Sequence, residues 1–199
     1  MTIKLYDFEL SGNCYKVRLL MSLLKLEYEL VAVNLKAGEH KSAEFLRLNP
    51  LGQVPVLTDE DFVLADSQAI LIYLAKKYGA DWLPTDDESL SLVSRWLMIS
   101  ASEIRHSVAA ARLFYLFGMK TIDLDTAIAN SAVVLQQLEQ HLSDRKWLEL
   151  NRPTIADIAV FPYVALAPDG KIDLKPYPKI LAWCDRLKQL PGFVSMPGI

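Results

Sequence analysis

The chain has 199 residues, 52% hydrophobic and 23% charged, with a formal net charge of −3. That composition belongs to globular proteins rather than disordered or fibrous ones. With 21 basic against 24 acidic residues and no dense Lys/Arg cluster, nucleic acid is not an expected partner. No apolar run approaches the ~20 residues of a membrane span, and the N-terminus lacks a signal-peptide layout. Cys14 and Cys184 lie far apart in a chain with no export signal, so both are expected reduced and the protein cytoplasmic. His40, His106 and His141 are scattered, no Cys/His cluster has ligand spacing, and no metal is expected.

In chain order, Ile3-Lys4-Leu5-Tyr6 alternates like a strand, and Val17, Leu20, Met21 and Leu24 mark one face of a helix. Between them sits Ser11-Gly12-Asn13-Cys14. A hydroxyl, an amide and a thiol thus gather at a helix start, where unsatisfied N–H groups and the helix dipole favour an anion. Ser and Asn are also ordinary helix caps. Glu29 to Asn34 has the length of a buried second strand, and strand–helix–strand order implies a parallel pair. A polar loop follows, and a short helix from Ser42 to Leu48 stops at Asn49-Pro50.

Leu51-Gly52-Gln53-Val54-Pro55-Val56-Leu57 places a proline at the opening of an apolar run, which suits a strand start or edge. A cis Val54–Pro55 bond would turn the Val54 backbone away from the sheet, free to pair with an extended ligand. Phe62-Val63-Leu64 returns as the second strand of a hairpin. Asp66-Ser67 then caps a helix ending near Tyr78-Gly79. Residues 1–78 therefore form a compact α/β domain, and residues 79–88 a linker.

Residues 89–199 show no convincing strand, so the second domain is all-α. Ser89 to Phe117 reads as one long helix with a kink near Arg105–Ala111, and Leu124 to Leu142 as a second. Thr154 and Asp157 have capping-box spacing at the start of a third, and are expected to be structural. Tyr177 to Leu190 is a fourth, with Cys184 buried among Ile180, Trp183 and Leu187.

Four separated matches carry a family resemblance: Ser11-Gly12-Asn13-Cys14, Asn49 to Leu57, Asp66-Ser67, and Arg152-Pro153-Thr154-Ile155-Ala156-Asp157. In order and spacing, over essentially the whole chain, they are similar to the cytosolic glutathione transferases. The resemblance implies a thioredoxin-like N-terminal domain joined to an all-α domain. It implies an enzyme of detoxification that takes glutathione as co-substrate, adds its thiolate to a small electrophile, and works as a homodimer. By the same resemblance Val54 pairs with the cysteinyl backbone of glutathione beside a cis Pro55. Ser67 binds the γ-glutamyl carboxylate and Asp66 the γ-glutamyl amine, an anion at a helix start and a cation beside a carboxylate. Gln53, with His40 or Lys41, reaches the glycyl carboxylate.

Family members stabilise the thiolate with Tyr, Ser or Cys. Ser11 matches the Ser position of the theta- and delta-like members, Asn13 is a rival amide donor, and a nucleophilic Cys14 would support disulfide chemistry instead. Arg105, His106, Arg112 and Tyr115 lie on the helix that in this family faces the cleft, and are expected at the acceptor-substrate site. The alternatives are a glutathione-dependent disulfide reductase or isomerase, and a non-catalytic binding module. The retained Ser11 and Asp66-Ser67 argue against the latter.

Overall fold

The structure is a computed structural model that describes residues 3–199. Side chains at alternate positions of β1 (Ile3–Asp7) are buried, the period of a strand with one face on a core. Asp7 is buried because Arg18, one helical turn beyond Cys14, holds both its carboxylate oxygens at 2.5–2.6 Å. From β1 the chain enters α1 (Gly12–Leu23) and returns as β2 (Glu29–Ala32), parallel to β1. β3 (Val56–Asp59) lies antiparallel on the other side of β1 and continues into β4 (Phe62–Ala65), giving the order β2-β1-β3-β4. α1 and α3 (Ser67–Tyr78) pack together through Leu20, Ile70, Leu71 and Leu74. The smaller α2 (Ala43–Leu48) sets Phe45 against Val33 and Val56 in a separate core. The expected thioredoxin-like α/β arrangement is present.

β2 corrects one expectation. It is not a buried strand but the sheet edge, bonded to β1 alone, with Leu30 47% exposed. Only Val33, beyond the end of the strand, is buried.

Every long element after Tyr78 is helical: α4 (Asp87–Ala101), α5 (Val108–Phe117), α6 (Leu124–His141), α7 (Ile155–Ala165) and α8 (Pro178–Lys188). The long helix expected from Ser89 to Phe117 is two helices, separated by a widened turn at residues 102–107. Backbone bonds there skip five residues, Ile104 N–H to Ile99 O and Ala109 N–H to Ile104 O, both 3.0 Å. The Ser107 hydroxyl donates to the Glu103 carbonyl at 2.5 Å, a local bond that competes with helical pairing.

α7 is apolar on all sides, as a helix surrounded by others must be. It packs against α1, α3, α4 and α5, and so joins the helical layer to the sheet layer. Its start is the capping box read from the sequence: Ala156 N–H donates to Thr154 Oγ1 at 3.2 Å, and Thr154 N–H donates back to Asp157 Oδ2 at 2.9 Å. Asp157 also accepts from Leu148 N–H at 3.0 Å and from Trp183 Nε1 at 2.9 Å. Burial pushes its carboxyl up to about 6, which leaves it a carboxylate at neutral pH, the form four donors require. Thr154→Ala should lower unfolding free energy by about 1 kcal/mol, as lost caps do, without changing ligand affinity. Denaturant melts and a titration of the variant check both parts.

Candidate active site

The loop between β1 and α1 delivers Ser11 and Asn13 side by side. Ser11 is the N-cap of α1, and its Oγ accepts from Cys14 N–H at 3.2 Å, leaving the hydroxyl proton free to donate. Asn13 faces a cavity of about 460 Å³ bounded by the sheet layer below and the helical layer above. Cys14 faces the other way. It is fully buried, its sulfur accepts from Phe8 N–H at 3.4 Å, and burial pushes its thiol up to about 12. A thiol so placed holds no thiolate at neutral pH.

Gln53, Val54 and Pro55 form a second wall, and the Val54–Pro55 peptide is cis. Neither backbone polar group of Val54 has a backbone partner within the described chain. Asn49 holds this loop in shape: its Nδ2 donates to Gln53 O at 2.8 Å and its Oδ1 accepts from Leu51 N–H at 3.1 Å. Gly52 allows the tight approach, since its φ is +58° and a Cβ would stand 2.7 Å from the His40 carbonyl oxygen. His40 and Lys41 lie outside the cavity wall. Lys41 Nζ donates to the carbonyls of Leu51 and Gly52 at 3.1 and 3.2 Å, and the buried His40 Nδ1 has no hydrogen-bond partner among the described residues.

The third wall is the start of α3. Asp66 has φ +76°, a conformation rare for a residue with a Cβ, and its Oδ1 accepts from Gln68 N–H at 2.9 Å and Ala69 N–H at 3.1 Å. Ser67 is buried and its hydroxyl donates to Gln68 Oε1 at 2.9 Å. Ala65, Asp66, Ser67 and Gln68 all line the cavity.

The helical layer supplies Ser100, Arg105, Ala109, Leu113 and Tyr163. Of the four helix residues expected here, only Arg105 reaches the cavity, carried in by the widened turn. Arg112 is a correction: it is 1% exposed, its Nε donates to Asp169 at 2.9 Å and its Nη1 to the Leu10 carbonyl at 2.9 Å. It braces the loop before Ser11. His106 is exposed, its Nδ1 2.9 Å from the carbonyl of its own Ser102. Tyr115 stands on the surface with Lys171 Nζ 4.3 Å from its ring centre. The helix break rotates these two away. Ala109, Leu113, Gln68 and Tyr163 escaped the sequence reading. Arg105, Ala109 and Leu113 recur every fourth residue, a stripe that could have revealed them. Tyr163 gave no such signal, because its neighbours on α7 are uniformly buried. Its ring closes on Gly12, where an added Cβ would stand 2.8 Å away.

A wider and more open cleft of about 960 Å³ lies between α4 and α6, but it contains none of the motif residues gathered in the smaller cavity. Among the described residues no group of three or more His, Cys, Asp or Glu is placed to hold a metal ion.

Two family models match this chain: the N-terminal domain of glutathione S-transferase over residues 1–76 and the C-terminal domain over residues 105–191. Glutathione S-transferase 3 of Zea mays is 33% identical, covering 96% of this chain and 91% of that protein. The crystal structure of glutathione S-transferase from Pseudomonas fluorescens superposes with TM-score 0.92 at 33% identity, covering 98% of both chains. A glutathione transferase homolog from Drosophila mojavensis, solved with bound glutathione, gives TM-score 0.87 at 31% identity over 96% of this chain and 89% of its own. Plant, bacterial and insect relatives match almost equally, so the likeness singles out no class within the family. Two family models in the right order, relatives matched over nearly their full length, and a fold superposed from end to end lead to one conclusion: this chain belongs to the glutathione S-transferase family.

Proposed function

We propose that the chain binds glutathione along the strand-end wall of the 460 Å³ cavity, ionises its thiol beside Asn13 and Ser11, and transfers the sulfur to a small electrophile. The observation that carries this is the convergence of three separated segments. Asn13, the unpaired Val54 backbone and the Asp66-Ser67 helix start face one space of suitable size. Each supplies what one part of the tripeptide needs. Val54 offers a donor and an acceptor to the cysteinyl backbone. Ser67, through its N–H and a hydroxyl turned from Gln68, receives the γ-glutamyl carboxylate at the start of α3, while Asp66 Oδ1 keeps the Gln68 and Ala69 N–H groups and its other oxygen faces the amine. Gln53 serves the glycyl carboxylate, with Lys41 and His40 bracing the rim behind it. The Asn13 amide and the Ser11 hydroxyl donate to the sulfur, favouring thiolate over thiol. Arg105 faces the helical side, where an electrophile collects negative charge as it is attacked, with Ala109, Leu113 and Tyr163 against its apolar body.

Disulfide chemistry at Cys14 finds no support, since the thiol is buried and held protonated. A homodimer fits the exposed Phe62 and Val63 on the outer strand β4, and sedimentation of the purified protein checks it. A cytoplasmic location fits two free, buried cysteines. No helix among the described residues is long and apolar enough to cross a membrane.

Titration calorimetry with glutathione, followed by thiolate absorbance against pH, tests the reading. Binding with a lowered thiol pKa is expected, and Ser67→Ala should weaken affinity about tenfold, the worth of one hydrogen bond to a charged group. Absence of binding would overturn the proposal, and undiminished affinity in Ser67→Ala would remove that residue from it.

A further inference from the structure

One charged side chain beside the cavity touches none of the groups proposed to hold glutathione. Lys16 projects from α1 into the junction between the sheet and helical layers and is fully buried. Its Nζ donates to Ser100 Oγ at 3.0 Å and lies 5.2 Å from the centre of the Tyr163 ring. Ser100 in turn donates to the Ala159 carbonyl at 2.7 Å, so its hydroxyl is committed on both sides. Among the described residues no carboxylate stands within ion-pairing distance of Lys16. An ammonium has three protons to donate, and this one has a single acceptor and one aromatic face. Buried charges of that kind are normally paired, because desolvation costs far more than one neutral hydrogen bond returns.

Ser100 and Tyr163 both line the cavity. The ammonium therefore sits one side-chain layer beneath the wall, without touching what binds there. The charged and titratable groups facing it from each neighbouring element can be named. Asp66 at the start of α3 favours its proton, and Arg105 in the turn after α4 opposes it. From α7 comes Tyr163, whose hydroxyl burial pushes up to about 12 and so stays neutral. Cys14 on α1 is likewise a neutral thiol. α4 contributes the uncharged Ser100. In the free protein burial pulls the Lys16 ammonium down to about 7, so a modest change of charge in the cavity is enough to load or unload its proton.

Resting on the glutathione reading above, we propose that Lys16 is a buried counter-charge for the bound anion, a positioning residue that gains a proton when glutathione occupies the cavity and thereby favours the thiolate. The balance is simple. Glutathione brings two carboxylates and one ammonium, a net negative charge, and the amine of Lys16 takes one proton from solvent to become ammonium. When the thiol then ionises, its S–H bond breaks, the proton leaves to solvent, and the resulting thiolate faces an ammonium instead of a neutral amine. Lys16 acts on the sulfur through the field across the Ser100–Tyr163 layer and not by contact.

The test uses S-methylglutathione, which has no thiol proton to release. Calorimetric titration of the native protein near pH 8, in buffers of different ionisation enthalpy, should show uptake of more than about half a proton per ligand bound. Lys16→Met should bind the same ligand with no uptake. With glutathione itself, Lys16→Met should show about tenfold less thiolate at neutral pH. Lys16→Arg should restore the thiolate yet show no uptake, because a guanidinium is protonated beforehand. A purely structural lysine would move neither proton count nor thiolate yield. Should Lys16→Met fail to fold, the native titration still decides, since binding of S-methylglutathione without proton uptake overturns the assignment. Equal uptake in native and Lys16→Met protein overturns it as well. If neither ligand binds, the glutathione reading falls first, and this inference with it.

Discussion

Asn13→Ala is expected to lower the turnover of conjugation by about 10²-fold, the usual loss when one donor to a developing anion is removed. Glutathione affinity should stay within about threefold, because the amide is aimed at the sulfur and uniform binding resides elsewhere. The pH–rate profile should move to higher pH together with the absorbance of the bound thiolate, and that joint movement identifies a thiolate donor. Ser11→Ala should act in the same direction by a smaller factor. The Ser11 oxygen is engaged by Cys14 N–H at 3.2 Å, and Asn13, not Ser11, faces the cavity. Ser11→Ala should also cost about 1 kcal/mol of stability, the price of a lost N-cap, whereas Asn13→Ala should not. Saturation kinetics with an activated aryl halide, run beside thermal melts, separates the two residues. An unchanged turnover and profile in Asn13→Ala would remove the amide from the mechanism and return the role to Ser11.

The largest loss of stability is expected from Asp157→Ala, about 3–5 kcal/mol, because it leaves several buried donors without an acceptor. Four donors meet on this carboxylate: Thr154 N–H and Oγ1, Leu148 N–H, and Trp183 Nε1. They come from the loop before α7, including its N-cap, and from α8, so one side chain on α7 ties three segments together. Since small domains have total stabilities of about 5–15 kcal/mol, Asp157→Ala should shift the denaturant midpoint strongly or fail to accumulate as folded protein. Asp157→Asn should fall between, because an amide keeps one acceptor oxygen but turns an NH₂ group towards donors. A variant that unfolds at the native midpoint would contradict the hub. Glutathione binding by whatever fraction folds should be near native, as Asp157 lies away from the cavity lining.

Much of this was legible in the chain because it rests on local physics. The alternation in Ile3–Tyr6, the proline before Val56, the cap at Asp66-Ser67 and the Thr154–Asp157 box each depend on neighbours within a few residues, and each stands in the structure where the pattern put it. The break at residues 102–107 was harder to place. Its apolar periodicity runs on from α4 into α5, while the widened turn is accompanied by the Ser107 hydroxyl bonding the Glu103 carbonyl and by a buried Ile104 packing against the core. That one turn decided which members of the Arg105–Tyr115 stretch could be site residues. Arg112 reads as an acceptor-site residue until Asp169, 57 residues away, is brought to 2.9 Å.

By itself, then, the sequence determined the strand–helix order of the first domain, the starts of α1, α3 and α7 and the strand-end segment that holds the candidate site, all set by spacing, capping and backbone preference over short distances. Tertiary structure alone decided that Arg112 is a brace, that Tyr163 completes the cavity, and that Lys16 lies beneath it with no carboxylate of the described residues at ion-pairing distance. The reason is that burial and electrostatic partnership depend on which distant segments come together. Residues 16, 100 and 163 lie on three different helices, and nothing in their local sequence records that they meet.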